Sequence, residues 1–390
     1  MYVPFHKPSI DEEELEAVKK VLASGWLTTG PVAHEFERQF AAFIGCKHAL
    51  AVNSATAALQ LAIDALDLQP EDEVLVPTYT FTATAAVIIH AGARPILCDS
   101  TKDGFNICPD DAERRITSRT RAIIPVHMAG QPCNLDRIHA LAAKHGLHVI
   151  EDAAHALPSS YKGTRIGAIS ELTAFSFYAT KTLSTGEGGM LTTDNDAYIQ
   201  RATKMRLHGI SGDAWRRYSD KGNWFYDVQY AGYKLNMCDV LAAIGCVQLA
   251  KTIRLWERRC KIAKTYSEIF SRFEELQVPP AGEANTEHSW HLYILRVRPE
   301  LLTTSRDEFI QELKERGIGA SVHFIPLHLH SFYAEKYGYQ RGDFPNAEDA
   351  YFRCLSLPIF PDMTEEEIGR VAGSVQSLLE QKRIPLAAAS

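Results

Sequence analysis

Lys181 and Asp152 are the two side chains in this sequence best placed to do chemistry. Lys181 lies just beyond an apolar, strand-like run at residues 173–177 and is followed by the glycine-rich segment 186–189. A lysine at the mouth of a sheet can lose its proton through desolvation and attack a carbonyl, and glycines let the backbone approach a ligand closely. Asp152 follows a second apolar run at residues 148–150. Pyridoxal phosphate chemistry requires such a set, because the carboxylate would keep the pyridine nitrogen protonated and let the ring take up the electrons of a carbanion.

Other residues could hold the remaining parts of that cofactor. Residues 51–59 run from a strand into a helix, where free backbone N–H groups and the positive end of the helix dipole favour a phosphate. Ser54 and Thr56 add hydroxyl groups at this turn, and Ser176 could donate another. Phe81 could stack on the pyridine ring.

Each of these residues also has an ordinary structural explanation. A lysine past the end of a strand is commonly a solvated surface charge. Ser54 and Asp152 could simply cap the helices that follow them, and Phe81 could belong to the core. The chemical interpretation is favoured because the residues occur together.

The composition argues against several other functions. With 390 residues, 46% of them hydrophobic and 23% charged, the chain is predicted to form a large core and a smaller domain. A net charge of −7 without a basic stripe argues against binding to nucleic acid or an anionic membrane surface. No apolar run is long enough for a transmembrane helix, the N-terminus does not resemble a signal peptide, and the eight cysteines are predicted to be reduced core thiols. We therefore expect a cytoplasmic protein.

Apolar runs alternate with helical patterns up to about residue 245. Ser9 and Glu12 form a capping-box pattern that opens an amphipathic helix, and Gly25 ends it. Strand-like runs follow at 49–52, 73–76, 95–98, 122–126, 148–150, 173–177 and 190–192, and helical patterns at 55–66, 135–145 and 196–207. Strands that are apolar on both faces and separated by helices predict an α/β fold with a mostly parallel sheet. Ligands bind at the carboxyl ends of such strands, where Asp152 and Lys181 fall.

The pattern changes after about residue 245. A long helix is predicted at 240–270, and its lysines and arginines would form a solvated face. Strands at 290–297 and 320–324 flank a helix at 306–316, which indicates a small α+β domain. The predicted domains are a large one over 1–245 and a small C-terminal one over 246–390.

Six motifs occur in order along the chain, and the ordered set is specific. They are GWLTTGP at 25–31, NSATAAL at 53–59, EDAAHA at 151–156, FSFYATK at 175–181, GEGG at 186–189 and GYKLN at 232–236. Together they resemble the DegT/StrS family of nucleotide-sugar aminotransferases over essentially the whole chain. Residues 289–293 and 314–319 are most similar to members that make UDP-4-amino-4-deoxy-L-arabinose and related 4-amino sugars.

The resemblance implies a fold, a cofactor and a set of residues that bind it. The fold is the aspartate-aminotransferase type, PLP-dependent transferase fold type I, with a seven-stranded large domain and a smaller C-terminal domain. Lys181 would carry pyridoxal 5′-phosphate as a Schiff base, Asp152 would pair with the ring nitrogen, and Phe81 would stack on the ring. His155 would lie near the phenolic oxygen, where many relatives have glutamine. The phosphate would be bound by Ala55, Thr56 and Ser176, and by Asn236 from the other subunit of a homodimer.

The resemblance also implies contacts with the substrate, by Trp26, Thr28, Tyr178, His323 and His328. The histidines at 323, 328 and 330 could instead suggest zinc, but their spacing is awkward and no thiol or carboxylate completes a set. No metal is therefore expected. Asn236 has an alternative role as the cap of a helix that begins near Asp239.

The expected reaction is a ping-pong transamination. L-Glutamate would donate its amino group, and a nucleotide-linked ketosugar, with a UDP-4-keto sugar as the leading candidate, would accept it. Such an enzyme would serve amino-sugar biosynthesis for cell-surface polysaccharide, lipopolysaccharide or secondary metabolites. Two alternatives are a PLP-dependent sugar dehydratase on the same fold and a non-catalytic regulatory protein on the same scaffold. Lys181 argues against the dehydratase, whose relatives have histidine there, and the complete site argues against the regulatory protein.

Overall fold

The structure, a computed structural model, describes residues 2–211, 226–280, 282 and 284–384. The helices are α1 (Glu12–Ser24), α2 (Pro31–Ile44), α3 (Ala55–Ala65), α4 (Ala83–His90), α5 (Pro109–Arg114), α6 (Leu135–His145), α7 (Asp196–Met205), α8 (Asp239–Phe270), α9 (Arg306–Glu315), α10 (Ser331–Tyr337), α11 (Pro345–Arg353) and α12 (Glu365–Lys382). The strands are β1 (His48–Val52), β2 (Glu73–Pro77), β3 (Arg94–Cys98), β4 (Thr120–Ile123), β5 (His148–Asp152), β6 (Ser160–Tyr161), β7 (Thr164–Arg165), β8 (Leu172–Ser176), β9 (Gly189–Thr193), β10 (Leu276–Gln277), β11 (Tyr293–Val297) and β12 (Cys354–Leu357). Within these ranges no helix combines the length and the apolar composition needed to cross a bilayer.

A seven-stranded sheet with the order β1-β9-β8-β5-β4-β2-β3 forms the centre of the first half of the chain. Its pairings are parallel from β8 through β3, and β9 runs antiparallel to both of its neighbours. Every residue of β2, β8 and β9 is buried, as expected for strands covered on both faces. The predicted mostly parallel α/β sheet is therefore confirmed, and its seven strands are those that the sequence patterns predict.

The sheet brings three distant segments to one edge. β5 and β8 are parallel neighbours, so Asp152 ends β5 at the edge where the chain leaves β8 after Ser176. Gly189 pairs with Ser176 on one side and with Val52 on the other. The turn that follows Val52 and opens α3 therefore reaches the same edge as Asp152.

α8 links the large sheet to the three-stranded sheet β10-β11-β12. In its N-terminal half, Lys251 forms an ion pair with Glu14 of α1 at 3.0 Å. Near its end, Tyr266 and Phe270 enter a second hydrophobic core with β11 and β12. The predicted domain boundary at residue 245 falls inside this helix, and the division into two domains stays a prediction.

The capping box predicted for α1 is wrong, although its end at Gly25 is confirmed by a left-handed φ of +74°. Asp11, not Ser9, is the N-cap: its carboxylate accepts from the N–H of Glu13 at 3.0 Å, and Glu14 completes the box. An aspartate adjoining the first helical residue satisfies the helix's first free N–H groups directly, whereas Ser9 lies too far upstream.

The strand predicted at 320–324 is also wrong. Ser321 makes only an isolated bridge to Ser356 of β12. Two residues further on, the carbonyl of His323 accepts from the hydroxyl of Tyr79 at 2.9 Å. Because this carbonyl is bonded to a side chain just beyond the end of β2, it does not continue a ladder along β12.

Candidate active site

Lys181 lies in the turn after β8, at the carboxyl end of the central sheet. Its backbone N–H donates to the carbonyl of Tyr178 at 2.8 Å, which closes the turn. Burial lowers the pKa of the Lys181 amine to about 8, although the carboxylate of Asp152 acts in the opposite direction. A large share of the amine is therefore neutral at mildly alkaline pH and able to attack a carbonyl.

Asp152 is 5% exposed and is held by two hydrogen bonds. Its Oδ2 accepts from the hydroxyl of Thr84 at 2.8 Å, and its Oδ1 accepts from the N–H of Ala154 at 3.1 Å. Burial raises the pKa of this carboxyl, while these bonds and the charge of Lys181 lower it. Residues 153–159 form turns and no helix, so Asp152 is not a helix cap. Thr84, one residue into α4, was not predicted, and no pattern in the sequence links it to Asp152.

The ring of His155 has a defined tautomer. Its Nδ1 accepts from the backbone N–H of Ala129 at 3.2 Å. Burial, together with the charge of Lys181, lowers the pKa of His155 well below its usual value, so the ring is neutral. Because Nδ1 accepts, the single ring proton is on Nε2, which can act only as a donor. This is the polarity that a glutamine amide nitrogen would supply at the same position.

The start of α3 offers the backbone donors of an anion site. Ser54 is the N-cap, and its Oγ accepts from the N–H of Ala57 at 3.1 Å. The N–H groups of Ala55 and Thr56 have no partner within the helix and lie at the positive end of its dipole. Gly189 passes directly over this turn, since a Cβ there would lie 2.5 Å from the carbonyl oxygen of Ser54. The capping role of Ser54 and a phosphate site at the same turn are compatible.

Ser176 adds a hydroxyl beside this turn. It pairs with Gly189 in the sheet, and its Oγ accepts from the N–H of Tyr178 at 3.3 Å. The hydroxyl proton therefore remains available to an anion. Tyr178 itself is 47% exposed, between the strand and Lys181.

Asn236 lies beside the predicted phosphate site at the start of α3 of its own chain. It forms an isolated bridge with Val52, and its amide nitrogen donates to the hydroxyl of Thr29 at 2.6 Å. It does not cap α8, whose N-cap is Cys238. The contribution of Asn236 to the site of a second subunit stays a prediction.

The loop at 25–30 is held by a residue that was not predicted. The carboxylate of Asp239 accepts from the N–H of Gly30 at 2.7 Å, and the N–H of Asp239 donates to the carbonyl of Thr28 at 3.2 Å. The indole nitrogen of Trp26 donates to the loop's own backbone. Contacts of Trp26, Thr28 and Tyr178 with a substrate stay predictions.

Phe81 lines an open cavity and is not a core residue. It is 57% exposed, and its ring centroid lies 5.6 Å from that of Phe324. Phe324, which the sequence did not single out, also lies 5.8 Å from the ring of His155. A cavity of about 590 Å³ opens beside Phe81, between α4 and residues 322–333.

His323 lies close enough to Lys181 to sense its charge. Burial, with this charge, lowers the pKa of His323 to about 4. Its Nδ1 is 3.0 Å from the hydroxyl of Ser356, and its ring stacks on Phe5 with centroids 5.1 Å apart. The structure therefore brings His323 into the region of the lysine as a neutral ring.

The predicted contact of His328 with a substrate does not agree with the structure. Its ring is buried, with Nδ1 at 2.8 Å from the hydroxyl of Thr78 and Nε2 at 3.0 Å from a carboxylate oxygen of Glu348. Both nitrogens are thus bonded inside the protein. His330, by contrast, lines the cavity beside Phe81. Over the described residues, no group of three or more His, Cys, Asp or Glu side chains could hold a metal ion, and all eight cysteines are free thiols.

His6 and His291 are site residues that the sequence patterns did not indicate. Their buried atoms His6 Nε2 and His291 Nδ1 have no hydrogen-bond partner within the described part of the chain. Burial lowers the pKa of both rings, and the charge of Lys181 contributes to each shift. The ring of His291 lies 4.4 Å from that of His155. Orphaned polar atoms beside a nucleophilic lysine fit a site that is completed by a ligand.

Taken together, these groups define a class of protein. A lysine with a lowered pKa, a buried carboxylate and a helix N-terminus meet at the carboxyl edge of a mostly parallel seven-stranded sheet. They fit the carbonyl, the ring nitrogen and the phosphate of pyridoxal phosphate, respectively. The site is that of a pyridoxal-phosphate-dependent transferase of fold type I.

The chain belongs to the DegT/DnrJ/EryC1/StrS aminotransferase family, whose sequence profile matches residues 8–376. It is 48% identical over 382 residues to the uncharacterized protein MJ1066 of Methanocaldococcus jannaschii. The match covers 98% of this chain and 99% of MJ1066. It is 46% identical to the spore coat polysaccharide biosynthesis protein SpsC of Bacillus subtilis, with 97% of each chain covered.

A solved structure agrees with the family. Spr1654 from Streptococcus pneumoniae, described as a sugar aminotransferase, superposes in its PLP form with a TM-score of 0.91 at 34% identity, covering 98% of this chain and 99% of that one. In its PMP form the TM-score is 0.92. The protein is therefore a transaminase of the sugar aminotransferase class that uses pyridoxal phosphate. This family assignment decides against the dehydratase and the non-catalytic alternative.

Proposed function

We propose that this protein transfers the amino group of L-glutamate to a nucleotide-linked ketosugar, with a UDP-4-keto sugar as the acceptor class. The main observation in favour of this acceptor is the cavity beside Phe81 and Phe324. Its described walls are aromatic, aliphatic and hydroxyl-bearing, with the imidazoles of His90 and His330 and no Lys, Arg, Asp or Glu. Such walls suit the uncharged rings of a sugar nucleotide, which can pack on aromatic side chains.

Neutral histidines around the lysine support the same acceptor. The rings that sense the charge of Lys181 are His6, His155, His291 and His323. Burial lowers the pKa of each, so they offer hydrogen-bonding groups without charge. A neutral imidazole can donate to or accept from a sugar hydroxyl through a nitrogen that the protein does not already bond, and His6 Nε2 and His291 Nδ1 are such nitrogens within the described residues.

Each residue at the sheet edge has a role in this reaction. Bound pyridoxal phosphate supplies an electron sink for the carbon that loses its proton. Lys181 would hold it covalently, and the freed amine would move the proton from the donor's α-carbon. Asp152 would keep the ring nitrogen protonated, and His155 would donate to the phenolic oxygen. The remaining contacts would come from Ala55, Thr56 and Ser176 to the phosphate and from Phe81 to the ring face.

The biological setting is proposed from a relative. The similarity to a spore coat polysaccharide biosynthesis protein supports an amino sugar destined for a cell-surface polysaccharide. Lipopolysaccharide and secondary metabolites are the other destinations of such sugars. The eight free thiols support a reducing, cytoplasmic location.

We also propose a homodimer with shared sites, in which Asn236 of one chain contacts the phosphate of the other. Mixing Lys181→Ala chains with Asn236→Ala chains tests this, because one site of each mixed dimer would combine an intact lysine with an intact asparagine. Recovery of activity on mixing is expected. Inactive mixtures despite verified subunit exchange would refute the sharing.

The substrate proposal is tested with the full chain, pyridoxal phosphate, glutamate and a panel of nucleotide ketosugars, with products read by mass spectrometry. Amination of a UDP-4-keto sugar is expected. Rapid exchange between ordinary amino acids and oxoacids, without amination of any nucleotide ketosugar, would show that the transaminase has a different acceptor.

A further inference from the structure

His127 is fully buried, just after the segment that pairs with the end of β5. Its Nδ1 accepts from the N–H of Cys133 at 3.0 Å, and its Nε2 lies 2.6 Å from a carboxylate oxygen of Glu151. Against the effect of burial, Cys133 and Glu151 raise the pKa of His127 to about 10, but an imidazolium could not accept from the N–H of Cys133. The hydrogen-bond geometry therefore assigns a single ring proton, on Nε2, which is donated to Glu151. Through these two hydrogen bonds, the ring of His127 links Glu151 on β5 to the backbone of Cys133.

The bond from Cys133 closes a turn with a strained backbone. Within that turn, Ala129 has a φ of +61° and Gly130 a φ of +99°. The left-handed region is unfavourable for alanine, because its Cβ crowds the neighbouring carbonyl. Such a conformation persists only where surrounding contacts enforce it.

This turn carries the donor that sets the tautomer of His155. The N–H of Ala129 donates to His155 Nδ1 at 3.2 Å. The same segment is tied to the catalytic carboxylate's backbone, since the N–H of His127 donates to the carbonyl of Asp152 at 3.2 Å. If the turn relaxed, His155 would lose the donor that places its proton on Nε2.

We propose that His127 is a positioning residue. Its bond from Cys133 holds the turn together with the bonds from Met128 to Asn106 and from Ser159 to Gly130, and the turn holds His155 as the tautomer that donates to the cofactor's phenolic oxygen. The inference rests on the proposed contact between His155 and that oxygen. A donor there favours the oxygen's anionic form. The bond between His127 and Cys133 thus acts on the reaction through His155 and not through stability alone.

Two substitutions separate the two bonds of the ring. In His127→Asn, the amide oxygen stands near the position of Nδ1 and can still accept from Cys133. In His127→Gln, the amide nitrogen stands near the position of Nε2 and can still donate to Glu151, but the N–H of Cys133 loses its acceptor. Ala129→Gly relieves the strain, so adding it to His127→Gln should restore the wild-type behaviour in part.

Side-chain ¹⁵N NMR of the full chain, with and without pyridoxal phosphate, reports the tautomer of His155. The proton is expected on Nε2 in the wild type and in His127→Asn, and on a mixture of both nitrogens in His127→Gln. In the loaded protein, the pH at which the visible cofactor band changes should rise by about one unit in His127→Gln. It should stay near the wild-type value in His127→Asn.

An unchanged His155 tautomer in His127→Gln, or equal shifts in both variants, would overturn the proposal. If neither variant folds, the wild type still decides, because a proton on Nδ1 of His155 or of His127 contradicts it. These readouts use no acceptor sugar. A failure of the nucleotide-ketosugar assignment would therefore be recognised separately.

Discussion

Asp152 and Glu151 are neighbours on β5, but they stand on opposite faces of the central sheet. On one face, Asp152 accepts from Thr84 and from a turn N–H. On the other face, Glu151 accepts from His127 at 2.6 Å and from the N–H of Ser170 at 3.1 Å. Both carboxylates are buried, so burial alone does not distinguish them.

Glu151 and Asp152 differ in the source of their bonding partners. Despite burial, hydrogen bonding to His127 holds the pKa of Glu151 below its usual value. The pKa of Asp152 is raised, because burial outweighs its two bonds and the charge of Lys181. Asp152 has neither a hydrogen-bonded imidazole nor a bonded cation among the described residues, so it can take a cationic partner from a ligand. In our account, the protonated ring nitrogen of pyridoxal phosphate is that partner for Asp152.

The largest expected effect comes from removing the nucleophile on the Asp152 face. Lys181→Ala should lower turnover by more than about 10⁴-fold, because both the covalent link and the proton carrier are lost. The variant should still retain the cofactor through the phosphate site at the start of α3, as measured by absorbance after gel filtration. Lys264→Ala, on the exposed side of α8, is the control. A variant that keeps a tenth of the normal rate would contradict the role of Lys181.

Asp152→Asn should slow turnover about 10³-fold, because an amide cannot hold the ring nitrogen protonated. The substitution is nearly isosteric, and the amide oxygen can still accept a hydrogen bond. The melting temperature, measured by calorimetry, should therefore change little. A near-normal rate would reduce Asp152 to a residue that closes a turn.

A matched pair of threonines sharpens the comparison. The hydroxyl of Thr84 donates to Asp152 Oδ2 at 2.8 Å, whereas the hydroxyl of Thr173 lies 3.5 Å from Glu151 Oε1. Thr84→Val should lower the rate about tenfold, since it removes one bond to a charged group and raises the pKa of Asp152 further. Thr173→Val should leave the rate unchanged. Equal rates in steady-state assays of both variants would show that the two faces are not distinct.

The smallest effect on rate is expected for Glu151→Gln. Gln cannot accept from both His127 and Ser170 as the carboxylate does, so unfolding should become easier by about 1–3 kcal/mol. The rate should stay within about twofold of the wild type. Denaturant unfolding and a turnover assay on the same sample measure both quantities. A large loss of rate in a stably folded variant would place Glu151 in the chemistry.

The sequence predicted the edge of the sheet better than the side chains that surround it. The seven strands, and the meeting of Lys181 with Asp152, follow from local apolar patterns and from the rule that parallel strands share a carboxyl end. His6 and His291 come from segments far apart in the chain, so no local spacing indicates them. Their convergence depends on how these segments pack against the edge of the sheet.

His328 shows a different limit of the sequence. A histidine in an apolar segment can face a cleft or the core, and local spacing does not distinguish the two. Its partner Glu348, 20 residues away on α11, decides the matter by accepting from the ring inside the protein. Thr84 is similar, because its hydroxyl reaches Asp152 only after α4 has packed against the sheet.

The central claim is that the cofactor supplies the cationic partner of Asp152, whereas Glu151 is completed within the chain by the ring N–H of His127. Carboxyl ¹³C NMR titrations of the full chain, with and without pyridoxal phosphate and assigned with Asp152→Asn and Glu151→Gln, test it most directly. The account predicts a raised pKa for Asp152 without the cofactor, a large fall when the cofactor is bound, and no change for Glu151. An Asp152 pKa that does not respond to the cofactor, or a Glu151 pKa that responds equally, would contradict the account.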